Sequence, residues 1–289
     1  MKQEAIADRD KIGKDKIILK TDMHLHSKDD PKDYKQITYS TFELIDDLDE
    51  KDFDVFSVTL HDYMFEDDIL KKIRIYAKSK GMLFIPGLEK TIEEKHILIY
   101  NMKKEHAESI NNYEDLKKIT LKYYTKNGKK DASLLVVAAH PFFMLRSASG
   151  KNVFAWSQSL DAIEYNSFYL GFFNPNLKAI KTAKHLKKVM VGNTDAHILK
   201  QIGNTYTQIY FDADDSILKS SNDINKKSRY RDDIVKREAF KEFVRKCSNE
   251  QYKKMLHEVI QKIKSGQTRV VTKPLKLGYV LKTMITLFT

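Results

Sequence analysis

Histidines and carboxylates stand at the ends of successive short apolar segments in the first two-thirds of this chain, and this placement most constrains the fold. Each segment is short and rich in apolar or β-branched residues, as buried strands are. Seven strands are predicted, at Ile17–His26, Phe53–His61, Met82–Glu89, His96–Met102, Ser133–His140, Ala162–Asn166 and Val189–Asp195. Helices are predicted at Thr41–Glu50, Glu66–Lys80, Tyr113–Asn127 and Asn176–Lys187. Strands that alternate with helices indicate an α/β fold.

The polar residues at the strand ends favour a barrel over an open sheet. Loops from several strands of a β/α barrel converge on its C-terminal face, whereas an open doubly wound sheet gathers ligands at one switch point. Only the short link Lys90–Lys95 joins the third and fourth strands, so a regular eightfold repeat is excluded. We therefore expect a distorted, TIM-like (β/α)7 barrel over residues 1–212.

The sequence changes character after Asp212. Asp214–Gly266 is highly charged, with helices predicted at Asp232–Cys247 and Glu250–Lys264, and we expect residues 213–289 to form a helical insertion or extension. Its apolar-leaning end, Leu277–Thr289, is expected to pack on the barrel as a closing segment. No run approaches the roughly 20 apolar residues that span a bilayer. With no visible signal peptide and a single cysteine, a cytoplasmic protein without a membrane contact is expected.

The formal net charge of +11 favours polyanionic partners. This charge does not separate a phosphorylated small molecule from a nucleic acid. The basic residues Lys226, Lys227, Arg229 and Arg231 could contact a phosphate backbone, but solvated helix faces explain them as well. The oligomeric state stays open.

The motif His24-Leu25-His26 ends the first strand, and because side chains alternate along a strand both imidazoles point to one side. Two such histidines can hold one metal ion. Other predicted strands also end in histidines or carboxylates, and one begins with a histidine. These further candidate ligands are His61, Glu89, His96, His140, Asp195 and His197. Imidazole and carboxylate ligands suit Zn²⁺, Mn²⁺ or Fe²⁺. Eight ligands exceed what one tetrahedral ion needs, so two or three divalent ions are predicted, with Glu89 as a bridge.

In order and spacing, these motifs resemble the PHP (polymerase and histidinol phosphatase) superfamily over Asp22 to His197. The resemblance implies a distorted seven-stranded β/α barrel, a trinuclear metal site and phosphoesterase activity. It implies three ligand sets: His24, His26, Glu89 and Asp195 for the first ion, Glu89, His96 and His140 for the second, and His61 and His197 for the third.

Two positions depart from the family's pattern. Leu60 replaces the aspartate of the usual Thr-Asp-His motif, so a supporting carboxylate is missing there. Pro31 and Lys32 occupy the positions where the family tends to place a ligand for the third ion. The neighbouring aspartates Asp29, Asp30 and Asp33 are substitutes, of which Asp30 is the preferred prediction, and the site could also work with two ions.

Divalent ions lower the pKa of bound water to roughly 7, so a metal-bound hydroxide is the predicted nucleophile. His61 or His197 could shuttle a proton. Arg146 could neutralise charge on the phosphoryl group and bind substrate, although a solvated arginine is as plausible. Asn166 could hydrogen-bond substrate or merely end its strand. The aromatic residues that follow strand ends could stack a base or pack the rim; they are Phe142, Phe143, Phe168, Tyr169, Phe172 and Phe173.

These observations favour an enzyme, a metal-dependent phosphatase or phosphodiesterase acting on a small phosphorylated metabolite or nucleotide. One alternative is a nuclease for single-stranded RNA or DNA ends, which the net charge favours. A second alternative is a non-enzymatic protein that binds metal, against which the complete set of ligands argues, because structural binding needs far fewer.

Overall fold

The computed structural model describes residues 4–6, 16–123, 133–143, 146–212 and 233–275. The strands are β1 Glu4–Ile6, β2 Lys16–Asp22, β3 Val55–Phe56, β4 Leu83–Phe84, β5 Gly87–Ile92, β6 Lys95–Tyr100, β7 Leu135–Ala138, β8 Ala162–Asn166, β9 Val189–Asn193, β10 Thr205–Asp212 and β11 Thr268–Thr272. The helices are α1 Thr41–Glu50, α2 Asp67–Ser79, α3 Lys104–Glu108, α4 Tyr113–Lys122, α5 Asn152–Ala155, α6 Asn176–Leu186, α7 Asp233–Lys246 and α8 Asn249–Lys264. A short 3-10 turn covers Leu199–Gln201.

The strands form two mixed sheets, and the predicted α/β class is confirmed. One sheet has the order β1-β11-β10-β2-β3-β4 and the other the order β5-β6-β7-β8-β9. The described strands are not hydrogen-bonded into the single closed sheet that is expected of a barrel. Instead the two sheets meet at two single parallel bridges, Leu25 with Ala196 and His61 with Glu89. The ladders stop at these points because the chain turns there into the loops that carry the histidines.

Local sequence explains where the helices begin and which face they bury. Ser40 caps α1 through the backbone N–H of Glu43, whose side chain accepts in return from the Ser40 backbone. In α8 the buried side chains recur every three or four residues, at Tyr252, Met255, Leu256, Val259, Ile260 and Ile263. The long predicted helices are present, and the end predicted for α4 at Asn127 lies outside the described residues.

Three strands were not predicted, and they change the description of the C-terminal part. β10 pairs antiparallel with β2, and β11 lies between β1 and β10. The region after Asp212 is therefore not purely helical, because Thr268–Thr272 returns to the first sheet as β11. The domain boundary at 212 stays a prediction. The basic residues Lys226, Lys227, Arg229 and Arg231 and the closing segment Leu277–Thr289 lie outside the described residues.

The largest apolar core lies between the strands and the last two helices. It joins residues of β2, β6 and β7 to residues of α7 and α8, among them Leu19, Leu98, Phe240 and Val259, all at most 2% exposed. Burial of this surface holds α7 and α8 on the sheet. No helix in the described ranges is long and apolar enough to cross a membrane.

Candidate metal centre

Side chains from six strands meet at one end of the two sheets. They are the eight residues predicted as ligands, namely His24, His26, His61, Glu89, His96, His140, Asp195 and His197. His96 is the second residue of β6, which runs antiparallel to β5 and β7. The start of β6 therefore lies where its two neighbours place Glu89 and His140, which explains a histidine at the beginning rather than the end of a strand.

Glu89 lies at the centre of the cluster, and both of its oxygens face imidazole nitrogens. Oε2 lies 3.1 Å from His24 Nε2, 3.3 Å from His26 Nε2 and 3.1 Å from His61 Nε2. Oε1 lies 2.7 Å from His96 Nδ1 and 3.0 Å from His140 Nε2. One carboxylate thus reaches two groups of imidazoles, as a carboxylate that bridges two cations does.

Although they lie close to one another, several of these buried atoms make no well-oriented hydrogen bond with any described residue. They are His24 Nε2, His26 Nε2, Glu89 Oε2 and His96 Nδ1. Buried polar atoms in native proteins nearly always have a partner, and orphaned ones point to a missing ion or water. Here the orphaned atoms are imidazole nitrogens and a carboxylate oxygen that converge, which is the donor set of a Zn²⁺, Mn²⁺ or Fe²⁺ site. The residues present therefore fit divalent metal ions.

Asp195 completes the group around the first pair of histidines. Its Oδ1 lies 3.3 Å from the Nε2 atoms of both His24 and His26. One oxygen or nitrogen atom from each of these three residues and Glu89 lies within 4.8 Å of the others. Asp195 and His140 have positive φ angles of 54° and 24°. Such left-handed conformations are strained for residues other than glycine and cluster at functional sites.

Glu164 supports this group from behind and was not among the predicted site residues. It is fully buried, and its Oε1 accepts from His24 Nδ1 at 2.9 Å and from Asn193 Nδ2 at 2.8 Å. Its Oε2 accepts from the backbone N–H of His140 at 2.6 Å. A carboxylate behind a ligand imidazole fixes the ring's orientation and tautomer. The signal in the sequence is an acidic residue between Ile163 and Tyr165 in an otherwise apolar strand.

Asp30 and Asp33 both lie beside His61, and the preference for Asp30 as a ligand of the third ion stays a prediction. One ligand atom from each of His26, Asp30, Asp33 and His61 lies within 4.8 Å of the others. Asp30 Oδ2 accepts from the His61 backbone N–H at 2.9 Å and lies 3.0 Å from both His26 Nδ1 and His61 Nδ1. It therefore orients two imidazoles from their outer nitrogens. Asp33 Oδ2 lies 3.1 Å from His61 Nδ1 and 3.2 Å from His197 Nε2, between the two histidines assigned to that ion.

Charge within the cluster shifts the pKa values of its members in opposite directions. Burial alone disfavours protonated His61, but Glu89, Asp30 and Asp33 outweigh that effect and raise its pKa to about 9. Burial alone disfavours ionised Glu89, but the surrounding imidazoles hold its pKa well below the usual value. These contacts thus favour a protonated His61 beside an ionised Glu89.

The two predicted substrate contacts lie in different surroundings. Asn166 Nδ2 donates to Asp195 Oδ2 at 3.3 Å, so this amide lies beside the cluster. The Arg146 side chain is 84% exposed and pairs with Glu94 at 2.9 Å rather than with any residue of the cluster. The structure does not bring the Arg146 guanidinium to the site, and its catalytic and substrate-binding roles stay predictions.

Comparison with known proteins agrees with these motifs. The model of a PHP-associated family matches residues 173–221, a segment that contains Asp195 and His197. The match confirms the resemblance to the PHP superfamily, and together with the clustered ligands it supports a metal-dependent hydrolase. No curated protein matches the chain.

Three solved structures share partial similarity with the chain. PsfC from Pseudomonas syringae PB-5123 is 16% identical with a TM-score of 0.44, over 67% of this chain and 82% of that one. An amidohydrolase from Chromobacterium violaceum with bound sulfate is 14% identical with a TM-score of 0.43, over 61% and 87%. A Bifidobacterium adolescentis protein assigned as a metal-dependent phosphoesterase is 14% identical with a TM-score of 0.42, over 62% and 87%. Similarity at this level carries no functional conclusion.

Proposed function

We propose that this protein is a metal-dependent phosphoric ester hydrolase, a phosphatase or phosphodiesterase for a small phosphorylated metabolite or nucleotide. The observation that carries the proposal is the Glu89 carboxylate between two groups of imidazoles, of which three nitrogens have no hydrogen-bond partner among the described residues; they are His24 Nε2, His26 Nε2 and His96 Nδ1. A single structural ion needs about four ligands. The described residues offer eight possible ligands in three overlapping groups, which are His24, His26, Glu89 and Asp195; His26, Asp30, Asp33 and His61; and His61, Glu89 and His96.

The overlapping sets imply two ions and favour a third. His24, His26, Glu89 and Asp195 would hold the first ion, and Glu89, His96 and His140 the second. His61 and His197 would hold the third, with Asp30 or Asp33, whose Oδ2 atoms lie 3.0 Å and 3.1 Å from His61 Nδ1, as a further ligand. When bound, these ions would supply Lewis acidity toward the phosphoryl oxygens and lower the pKa of water.

The protein's own groups prepare the site in two ways. Glu164 and Asp30 accept hydrogen bonds from the outer nitrogens of the ligand histidines, and so leave the inner nitrogens free of protons when metal is bound. His197 is partly exposed and lies 3.2 Å from Asp33. In a site that works with two ions, His61 and His197 bind no metal, and we place proton transfer to the leaving oxygen on one of these two histidines.

We also infer that the two sheets are arcs of one distorted seven-stranded barrel formed by β2, β3, the β4–β5 run, β6, β7, β8 and β9. Hydrogen bonds continue past both bridges: His26 N–H donates to Ala196 O at 3.2 Å and Glu89 N–H to Leu60 O at 3.1 Å. In such a barrel the ligands share the C-terminal face where loops converge. The nuclease alternative depends on basic residues outside the described ranges, and no described contact favours it.

The test is hydrolysis of p-nitrophenyl phosphate with added Mn²⁺ or Zn²⁺. We expect metal-dependent activity in the wild type and a loss of at least about 100-fold in Glu89→Gln. Glu105→Gln, an exposed glutamate on α3, is the control and should retain activity. If the wild type with bound metal is as inert as Glu89→Gln on this and on alkyl phosphates, the non-enzymatic alternative holds.

A further inference from the structure

The segment that carries His197 lies between β9, which ends at Asn193, and the 3-10 turn Leu199–Gln201. Its last contact with a neighbouring strand is the single bridge between Ala196 and Leu25. The backbone N–H of His197 lies beyond that bridge. Because a buried N–H group needs a hydrogen-bond partner, this one must be satisfied from outside the sheets.

The side chain of Gln201 is that partner. Its Oε1 accepts from the N–H of His197 at 2.7 Å and from the N–H of Ile198 at 3.0 Å. The 3-10 turn brings the two ends together, since the N–H of Gln201 donates to Ile198 O at 2.9 Å. Only 2% of the Gln201 surface is exposed. One buried oxygen thus fixes two successive peptide groups at the ligand histidine.

The His197 ring is fixed by other contacts, and they determine which nitrogen can bind a metal ion. Nδ1 lies 3.0 Å from Asp195 O, and an Nδ1–H that donates there leaves Nε2 free for an ion. Nε2 lies 3.2 Å from Asp33 Oδ2, which itself lies 3.1 Å from His61 Nδ1. The ring also stacks on His26, with 4.5 Å between the ring centres. The position of Nε2 therefore depends on the His197 backbone that Gln201 holds.

Tyr39 holds the same segment one residue earlier, but less exclusively. Its hydroxyl donates to Ala196 O at 3.1 Å, and the N–H of His26 donates to the same oxygen at 3.2 Å. Ala196 O therefore keeps a backbone partner when the Tyr39 hydroxyl is removed. The N–H groups held by Gln201 have no such second bond among the described residues, so a change at Gln201 should displace His197 more.

We propose that Gln201 is a positioning residue of the metal centre, which places His197 as a ligand of the third ion. The inference rests on the proposed function, in which His61 and His197 hold that ion. Gln201 acts through the backbone of His197 and not as a ligand. Loss of a residue that orients a metal ligand typically weakens metal affinity 10- to 100-fold. The loss should be confined to the third ion, because His197 belongs to neither of the other two ligand sets.

The test is competition between the protein and a chromophoric chelator for Zn²⁺, which resolves the ions by affinity and needs no turnover. We expect three zinc ions in the wild type, and His197→Ala identifies the third as the ion whose affinity falls most. Gln201→Met removes the accepting oxygen but keeps the length of the side chain. It should weaken the third ion about tenfold and the other two less than about twofold. Gln201→Glu keeps an oxygen acceptor and should bind the third ion at least as tightly as the wild type.

A double-mutant cycle separates positioning from a general structural role. In a His197→Ala background, Gln201→Met should change the remaining zinc affinities by less than about twofold, because the histidine through which Gln201 acts is absent. Further weakening in that background would mean that Gln201 supports the whole centre, and would overturn the proposal. Circular dichroism shows whether each variant folds, and Gln201→Asn, whose oxygen is one methylene short, replaces Gln201→Met if that variant does not.

Matched variants make the same chemical changes elsewhere. Gln36 is exposed, and the Tyr76 hydroxyl bonds Asp46 on α1, so Gln36→Met and Tyr76→Phe should leave every zinc affinity unchanged. Tyr39→Phe should weaken the third ion by a smaller factor than Gln201→Met, about threefold.

Two results would overturn the proposal and leave a two-ion hydrolase intact. One is a wild type that binds two zinc ions and no third, and the other is a folded Gln201→Met whose third ion binds within twofold of the wild type. The expected zinc affinities in a protein that hydrolyses no phosphate ester would instead refute the hydrolase function and keep the role of Gln201.

Discussion

Replacing Glu164 by glutamine should weaken metal binding although Glu164 touches no ion. Both oxygens of the carboxylate accept hydrogen bonds, from His24 Nδ1 and Asn193 Nδ2 on one side and from the His140 N–H on the other. Glutamine has one accepting oxygen and one donating nitrogen. Either orientation therefore sets a donor against a donor, at His140 in one case and at His24 and Asn193 in the other.

The magnitude follows from which histidine loses its support. Asn193 cannot turn its amide to help, because its Oδ1 accepts from the Met23 N–H at 3.0 Å. One ligand histidine therefore shifts or takes the wrong tautomer, and loss of such support typically weakens metal affinity 10- to 100-fold, about 1.4–2.7 kcal/mol. The effect should be visible at the first ion if His24 moves and at the second if His140 moves.

The assay is competition with a chromophoric chelator for Zn²⁺, together with circular dichroism to show that the variant folds. Glu105→Gln makes the same chemical change on an exposed helix and should bind zinc as the wild type does. Zinc affinity in a folded Glu164→Gln that stays within twofold of wild type would refute the reasoning.

Three further predictions address the charge and packing of the site. Because His61 has a pKa of about 9 without bound metal, metal binding at pH 7 should release protons, seen as a calorimetric heat that depends on the buffer's ionisation enthalpy. The stability that protonated His61 adds to the protein without metal is complete below pH 6.5 and is lost as pH rises through 9. The thermal unfolding midpoint of the protein without metal should therefore fall over that window. Arg237→Ala removes the partner of buried Asp54, whose Oδ1 lies 2.7 Å from Arg237 Nε. It should lower the free energy of unfolding, measured in urea, by about 3 kcal/mol. Lys246→Ala, which breaks an exposed pair with Glu242, is the control and should change that free energy by less than about 0.5 kcal/mol. Gly87→Ala would place a Cβ 2.7 Å from both Ser57 Oγ and Tyr100 Cδ1. It should lower the free energy of unfolding by about 1–3 kcal/mol and weaken zinc binding by displacing Glu89. A Cβ at Gly171 meets no described atom within 4 Å, so Gly171→Ala is the control and should change neither quantity.

Local sequence patterns predict much of this site, but they do not predict contacts that depend on how distant segments fold together. The alternation of His24 and His26 and the strand-end positions of the other ligands depend only on chain periodicity, so they could be predicted. The only local signal for Glu164 is an acidic residue in a mostly apolar strand, and its contacts with His24 and the His140 N–H depend on the fold. The positions of Asp30 and Asp33 beside the histidines depend on the turn that joins them, in which Asp30 Oδ1 accepts from the Lys32 N–H at 2.8 Å.

Contacts distant in sequence were the least predictable. β11 pairs with β10 across more than 50 residues, and neither strand has a turn signal that announces the other. The position of Arg146 six residues beyond His140 was known, but its direction depends on how the loop runs. In the structure the backbone of that loop bonds β6, where the His96 N–H donates to Ser147 O, and the guanidinium reaches Glu94.

The central claim is that the eight clustered residues hold divalent ions, and metal content tests it most directly. Protein purified with Mn²⁺ and Zn²⁺ supplied, then passed through a desalting column, is measured by elemental analysis against protein concentration. The account predicts two or three ions per chain in the wild type and fewer in Glu89→Gln, which removes the bridging charge. A wild-type chain that carries no metal under these conditions would contradict it.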